Sequence, residues 1–288
     1  MDLGARAVIK SEQMELLELG KTGVMIPEVG LGTWKYTGGE APLRRGIELG
    51  AFLIDTAEMY RNEARVGQAI EGLRDQVFLA TKVLGSNLRH DQVLRAAETS
   101  LRLLKVDCID LYQIHWPNSS VPIKETMGAM AKLVENGSVK YVGVSNFSKR
   151  ELQEAQVAMP NVPIVSNQVL YHLKRRDIER ELLPYCQENG VTVMAYTPLA
   201  DGSLAAKPRL RRDGRLETLE KVAAEAGKTM AQVALNWCTS HHNVMVIPKS
   251  NSVDRIVENC GASSWRLSPE QTSALDQAFS LDILGSRR

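Results

Sequence analysis

Asp55 closes an apolar run, residues 52–55, and Tyr60 stands five residues beyond it. Lys82 interrupts a second apolar run, 77–83, and His115 ends a third, 108–115. A carboxylate, a phenol, an ammonium and an imidazole can together move protons without a metal. A carboxylate pairs with the ammonium. The ammonium in turn stabilises a phenolate, which lowers the phenol from its free pKa of about 10 and makes Tyr60 a better general acid. Each residue alone has a plainer use. Asp55 could cap a turn, Lys82 could reach out to solvent, and His115 could be a satisfied core histidine, because buried polar groups are usually just hydrogen-bonded.

Four residues spread over 60 positions need a scaffold that gathers them. Eight strand-like runs recur along the chain, at 29–33, 52–55, 77–83, 108–115, 139–145, 164–169, 191–196 and 244–249. Amphipathic segments lie between them. Asp91 is the expected N-cap of a helix over 91–104, whose apolar face is Leu94, Ala97, Leu101 and Leu104. Ser148 and Glu151 form a capping box, and Asp177 is expected to cap a helix that Gly190 stops. Apolar strands spaced by helices imply a parallel sheet, and eight such units fit a closed (β/α)8 TIM barrel. The segment before the first strand, from Met14 to Pro27, reads as a β-hairpin turning at Gly20 and Gly23, able to plug the N-terminal mouth. No linker divides the chain, so residues 14–288 are expected to form a single barrel domain after an extension, 1–13. The Gly- and Pro-bearing stretch 201–214 is expected to be a loop, and little sequence follows Leu281 to gate a pocket.

In such barrels the chemistry gathers at the carboxyl ends of the strands. Here those ends carry Asp55 with Tyr60 beyond it, Lys82, His115 with Trp116, Ser145 with Asn146, Asn167 with Gln168, Tyr196, and Lys249 with Ser250. Their convergence outweighs the separate structural uses.

Other chemistries find little support. Gly20-Lys21-Thr22 resembles the end of a phosphate-binding loop, but Glu15 occupies the place of its first glycine. Gly30-Leu31-Gly32 lacks the third glycine of a dinucleotide fingerprint, and Gly143-Val144-Ser145-Asn146-Phe147 fails the nucleophile elbow at its last position. The four cysteines, Cys108, Cys186, Cys238 and Cys260, are dispersed, which favours reduced thiols over a zinc site or a disulfide framework. A net charge of +1, with 24% charged and 44% hydrophobic residues, argues against a nucleic-acid or membrane partner. With no apolar signal-like segment at the start, a cytoplasmic protein is expected.

The ordered motifs "VGLGTW", "DTAEMYRNEARVGQAI", "ATKV", "LYQIHWP", "VGVSNF", "NQVLYH", "AYTPL" and "VIPKSNSVDRIVEN" resemble those of the aldo-keto reductases. The likeness covers about residues 14–280. It implies a catalytic tetrad of Asp55, Tyr60, Lys82 and His115, and NADPH-dependent reduction of aldehydes or ketones, aldoses among them, by hydride transfer with Tyr60 as general acid. It also implies that the NADP cofactor lies extended across the strand ends without a Rossmann domain. Ser145, Asn146 and Gln168 would hold the carboxamide, with Tyr196 stacked on the nicotinamide and the turn from Thr197 to Leu199 along the pyrophosphate. Lys249, Ser250 and Arg255 would take the 2′-phosphate, with Glu258 and Asn259 near the adenine and Gly32, Thr33, Trp34 and Asp55 also in contact with the cofactor. Two cations and a hydroxyl make a phosphate site, which favours NADPH over NADH.

The resemblance places Trp34, Tyr60, His115 and Trp116 around a small-molecule carbonyl or alcohol substrate, in a monomer. Leu84 stands where many relatives carry a tryptophan, which should reshape one pocket wall, and Leu173 replaces a common proline. Two other functions stay open: oxidation of an aldose or alcohol in the reverse direction, with Tyr60 as base, and a cofactor-binding regulatory subunit with little turnover.

Overall fold

The computed structural model describes residues 14–206 and 213–280. The expected extension 1–13, residues 207–212 of the expected loop and the end from 281 lie outside them. A hairpin, β1 (Leu16–Glu18) and β2 (Met25–Pro27), comes first, with Gly20 and Gly23 at positive φ in its turn as expected. The barrel follows. β3 (Leu31–Gly32), α1 (Ala41–Glu48), β4 (Leu53–Asp55), α2 (Glu63–Ala69), β5 (Phe78–Val83) and α3 (His90–Leu104) build its first part. Next come β6 (Ile109–Ile114), α4 (Ile123–Glu135), β7 (Val139–Ser145), α5 (Lys149–Ala158), β8 (Ile164–Leu170) and α6 (Leu182–Asn189). β9 (Thr192–Tyr196), α7 (Gly214–Ala226), α8 (Met230–Thr239), β10 (Val244–Val246), α9 (Val253–Cys260) and α10 (Pro269–Ala278) complete it.

β3 to β10 pair in parallel in sequential order. The ring closes between the first and last of these. Val29 bridges Val246, Gly30 N–H donates to the Val246 carbonyl at 2.8 Å, and Val246 N–H donates to the Glu28 carbonyl at 2.9 Å. This seam explains why β3 and β10 are shorter than the expected 29–33 and 244–249. Pro248 has no N–H to continue the ladder, and the seam ends where Gly32 donates to its carbonyl at 3.1 Å. A Cβ on Gly32 would lie 2.5 Å from the Ile247 carbonyl oxygen, so only glycine permits this approach.

Alternation along the strands divides the buried residues into two sets. Leu53, Phe78, Ala80, Leu111, Met194 and Met245 face inward and pack with Leu19 and Ile26 of the hairpin, which thus plugs the barrel floor. Ile54, Leu79, Tyr112, Ile114, Val142 and Val193 face the helices. Above the apolar floor the interior turns polar, with Asp55, Lys82, Gln113 and Gln168 all buried.

The capping box of Ser148 and Glu151 opens α5, and Gly190 ends α6 at φ 65°. Two expected caps are corrected. Asp91 lies in the first turn of α3, which starts one residue earlier with Arg89 as N-cap, its backbone N–H donating to Gln92 Oε1 at 3.4 Å. Asp177 opens a separate 3-10 turn, Asp177–Arg180, and accepts a hydrogen bond from Arg175; α6 starts only at Leu182.

Candidate active site

β4 and β5 bring Asp55 and Lys82 to the same level of the barrel interior. Lys82 is fully buried, and its Nζ donates to Asp55 Oδ2 at 2.7 Å, the Thr56 carbonyl at 2.9 Å and Tyr60 Oη at 3.2 Å. Three acceptors suit an ammonium with three protons. The other Asp55 oxygen accepts from Gln168 Nε2 at 2.7 Å and Gln113 Nε2 at 3.4 Å, so the buried carboxylate is fully engaged. Burial works against the Lys82 charge, but Asp55 and Tyr60 outweigh it and hold the lysine above its usual pKa.

Tyr60 itself departs from the expected direction. Its ring lies 4.9 Å from that of Trp34 and 5.5 Å from that of His115. Burial of the phenol raises its pKa, Lys82 pulls it back, and burial wins. The phenol therefore stays protonated through neutral pH, and the ammonium's effect is to keep the rise small and to stand ready for negative charge on the oxygen.

His115 is buried at the end of β6, stacked on Trp116 at 3.9 Å with 11° between the planes. Burial and the repulsion of Lys82 depress its pKa to about 3, so the imidazole is neutral and offers one N–H donor. Trp34 and Trp116 are 47% and 39% exposed, which leaves part of the apolar surface of each open to a ligand.

β7 delivers Ser145 and Asn146. Ser145 Oγ donates to the Gln168 carbonyl at 2.8 Å. Asn146, in the left-handed region at φ 61°, donates to the His115 carbonyl at 3.0 Å and accepts from Tyr196 Oη at 3.0 Å. This polar tier depends on Gly143, where a Cβ would meet Ser166 Oγ at 2.3 Å and Gln113 Cγ at 3.0 Å. Asn167 faces away and donates to the Phe147 carbonyl at 2.9 Å, while Gln168 faces in, as strand alternation requires.

One cleft of about 680 Å³ runs over these groups. It is lined by Gly32, Thr33, Trp34, Asp55, Tyr60, His115, Trp116, Ser145, Asn146, Gln168, Tyr196, Thr197 and Leu199, and beyond them by Lys249, Ser250, Arg255, Glu258 and Asn259. Of the polar residues expected at the strand ends and of the expected site residues, all but Lys82, which lies beneath, and Asn167, which faces away, thus meet on one surface. Leu84 is half-buried and does not line the cleft, so the expected change of wall at that position leaves no residue there. Lys35, Met59 and Asp201 also line it and were not foreseen; nor was Gln113, although it precedes His115 by two positions on the same strand face. Lys35, Lys249 and Arg255 form no ion pair among the described residues, and burial, with the charge of Lys35 adding to it, depresses the pKa of Lys249. Unneutralised cations at one end of a long cleft suit a phosphate-bearing anion.

The model of the aldo/keto reductase family matches residues 28–279. The chain belongs to that family. An Escherichia coli relative of the aldo/keto reductase described here, the methylglyoxal reductase YeaE, is 41% identical over 269 residues, 89% of this chain and 92% of its own. The glyoxal reductase of Bacillus subtilis is 36% identical over 88% of this chain and 89% of its own. An aldo-keto reductase of Klebsiella pneumoniae, solved with NADP and acetate, superposes with a TM-score of 0.82 at 39% identity, over 92% of this chain and 95% of that one. The protein is an NADP-dependent oxidoreductase of carbonyl compounds.

Proposed function

We propose that this aldo/keto reductase uses NADPH to reduce small aldehydes, 2-oxoaldehydes of the methylglyoxal type foremost, with Tyr60 as the proton donor. The observation that carries the proposal is the Tyr60 hydroxyl 3.2 Å from an ammonium that is itself fully buried and bonded to Asp55 at 2.7 Å. The Escherichia coli and Bacillus subtilis relatives, named as methylglyoxal and glyoxal reductases, support the substrate class.

The cleft fits the cofactor by its donors. Lys249, Arg255 and Ser250 would hold the 2′-phosphate, with Glu258 and Asn259 toward the adenine. Gly32, Thr33, Thr197 and Leu199 would line the middle, and Ser145, Asn146, Gln168 and Tyr196 would hold the nicotinamide. NADPH, when bound, supplies the hydride that the carbonyl carbon takes up. Tyr60 holds the proton that completes the hydroxyl on the carbonyl oxygen, and Lys82 stabilises the phenolate left behind. The neutral His115 orients the same oxygen by a hydrogen bond, and Trp34 and Trp116 exclude water on either side. Run in reverse, Tyr60 takes the proton back as a base. The four unpaired cysteines, three of them buried, and a site complete within one chain support a monomeric, single-domain protein in the cytoplasm.

Tyr60→Phe tests the assignment. The variant is expected to lose about 10²- to 10⁴-fold in methylglyoxal reduction, the usual worth of a general acid, and to bind NADPH as tightly as the wild type in a fluorescence titration. Wild-type turnover in the purified variant would sink it.

A further inference from the structure

Tyr60 rides on a short 3-10 turn, Glu58–Tyr60, rather than on a strand. Such a turn has few bonds of its own. Here Tyr60 N–H donates to the Ala57 carbonyl at 2.9 Å and Arg61 N–H to the Glu58 carbonyl at 3.2 Å. Side chains must therefore hold the phenol in place. Asn62 ties down the far end of the turn, donating to the Thr33 carbonyl at 2.8 Å and accepting from Thr56 Oγ1 at 2.7 Å.

Glu58 ties down the near end. Its carboxylate accepts the Leu84 N–H at 2.8 Å and Asn87 Nδ2 at 2.6 Å. Both donors belong to the loop that leaves β5 immediately after Lys82 and Val83. That loop is bonded onward, because Asn118 Nδ2 donates to the Gly85 carbonyl at 2.8 Å. Asn118 follows Trp116 by two residues, and Trp116 lines the cleft. Glu58 does not line the cleft, so it touches neither substrate nor cofactor.

We propose that Glu58 is a positioning residue: it locks the turn of Tyr60 to the loop after Lys82 and, through Gly85 and Asn118, to the Trp116 wall. The proposal rests on Tyr60 being the proton donor. Bonds to a carboxylate are stronger than neutral ones, and a misplacement of about 1 Å at a reacting group can cost on the order of 100-fold. Freed of Glu58, the phenol would keep its chemistry and lose its place.

Glu58→Ala and Glu58→Gln, each confirmed folded and saturated with NADPH, are compared with wild type in single-turnover hydride transfer to methylglyoxal. Glu58→Ala is expected to fall ~30-fold, within the range for lost positioning, with NADPH affinity unchanged. Glu58→Gln keeps an acceptor for Leu84 and can donate to a flipped Asn87 amide, so it is expected within about threefold of wild type with the same pH profile. In a Tyr60→Phe background Glu58→Ala should cost nothing further, because the effect passes through the phenol. Wild-type hydride transfer in Glu58→Ala overturns the proposal. So does a Glu58→Gln as damaged as Glu58→Ala with a displaced pH profile, which would mean that Glu58 acts through its charge on its buried neighbours Glu63 and Tyr112. If Glu58→Ala does not fold, Asn87→Ala deletes the 2.6 Å bond from the loop side. It should slow hydride transfer about fivefold by the same loss of placement, and an undiminished rate there overturns the proposal. A wild-type rate in Tyr60→Phe alone is a separate failure, that of the donor assignment.

Discussion

Lys82 makes three bonds from a fully buried position, and each has a different consequence when lost. Lys82→Met keeps much of the apolar stem and deletes the ammonium. Asp55 is then a buried carboxylate held only by Gln168 and Gln113, and breaking a buried pair costs about 3–5 kcal/mol. Tyr60 also loses the ammonium that counters its burial, so its pKa rises further and its phenolate is less accessible. Hydride transfer is expected to fall by about 100-fold or more between pH 6 and 8, measured in single turnover on variant confirmed folded by melting. A rate within about threefold of wild type would leave Lys82 a mere anchor, since positioned groups at the reacting atom are worth far more. Three members of the proposed tetrad could be picked out because Asp55, Lys82 and His115 each break an apolar run near a strand end, and Tyr60 because it stands just beyond Asp55. The direction of the Tyr60 shift could not, because it turns on packing between Trp34 and His115, rings that follow β3 and β6. Lys35 was hidden for a related reason: it is an ordinary surface lysine until the fold sets it beside Lys249.

Among the elements, the six central barrel strands lie within one residue of their expected bounds, because strands paired on both sides read as near-continuous apolar runs. The seam strands did not, since β3 and β10 close the barrel by isolated bonds that leave no periodic trace. At α3 a competing acceptor displaced the expected cap: the N–H of Arg89 donates to Gln92 Oε1, one residue past Asp91. The hairpin is a plug below the chemistry, and this separates stability from activity. Ile26→Ala empties part of the sealed floor formed with Leu53, Leu111 and Met245 and is expected to cost about 2–5 kcal/mol. Urea unfolding measures that loss, while kcat at a temperature where the variant is folded should be unchanged. A drop in kcat without a loss of stability would show the floor coupled to the tetrad. α9 and the turn before it make the opposite prediction, affinity without stability. Lys249→Ala or Arg255→Ala should weaken NADPH about 10- to 150-fold, the worth of a charge-assisted bond, and leave NADH nearly unaffected. Equal losses for both cofactors would place the 2′-phosphate elsewhere.

At the scale of the whole molecule, the barrel buries histidines that it keeps neutral, and this sets its response to acid. Burial is the larger cause for both His115 and His172, depressing them from 6.5 to about 3 and about 4. His115 is also repelled by Lys82, and His172 by Arg175 and Lys174, with Asp201 opposing weakly. Above pH 6.5 both histidines are neutral in the folded and the unfolded chain, and their contribution to stability is constant. As the pH falls below 6.5 the unfolded chain takes up protons that the folded one refuses, and stability drops. For His172 the loss continues to about pH 4, at up to about 1.4 kcal/mol per pH unit. His172 is the better probe, because it lies outside the cleft lining and its Nδ1 only accepts the Lys174 N–H at 3.1 Å. His172→Gln keeps an acceptor for that bond and cannot titrate. Between pH 7.5 and 5.0 the wild type is expected to lose about 2 kcal/mol more unfolding free energy than His172→Gln, by proton linkage. Urea unfolding of both proteins at the two pH values measures the difference. If the variant loses as much on acidification as the wild type, His172 is already protonated in the folded protein or exchanges protons there as freely as in the unfolded chain.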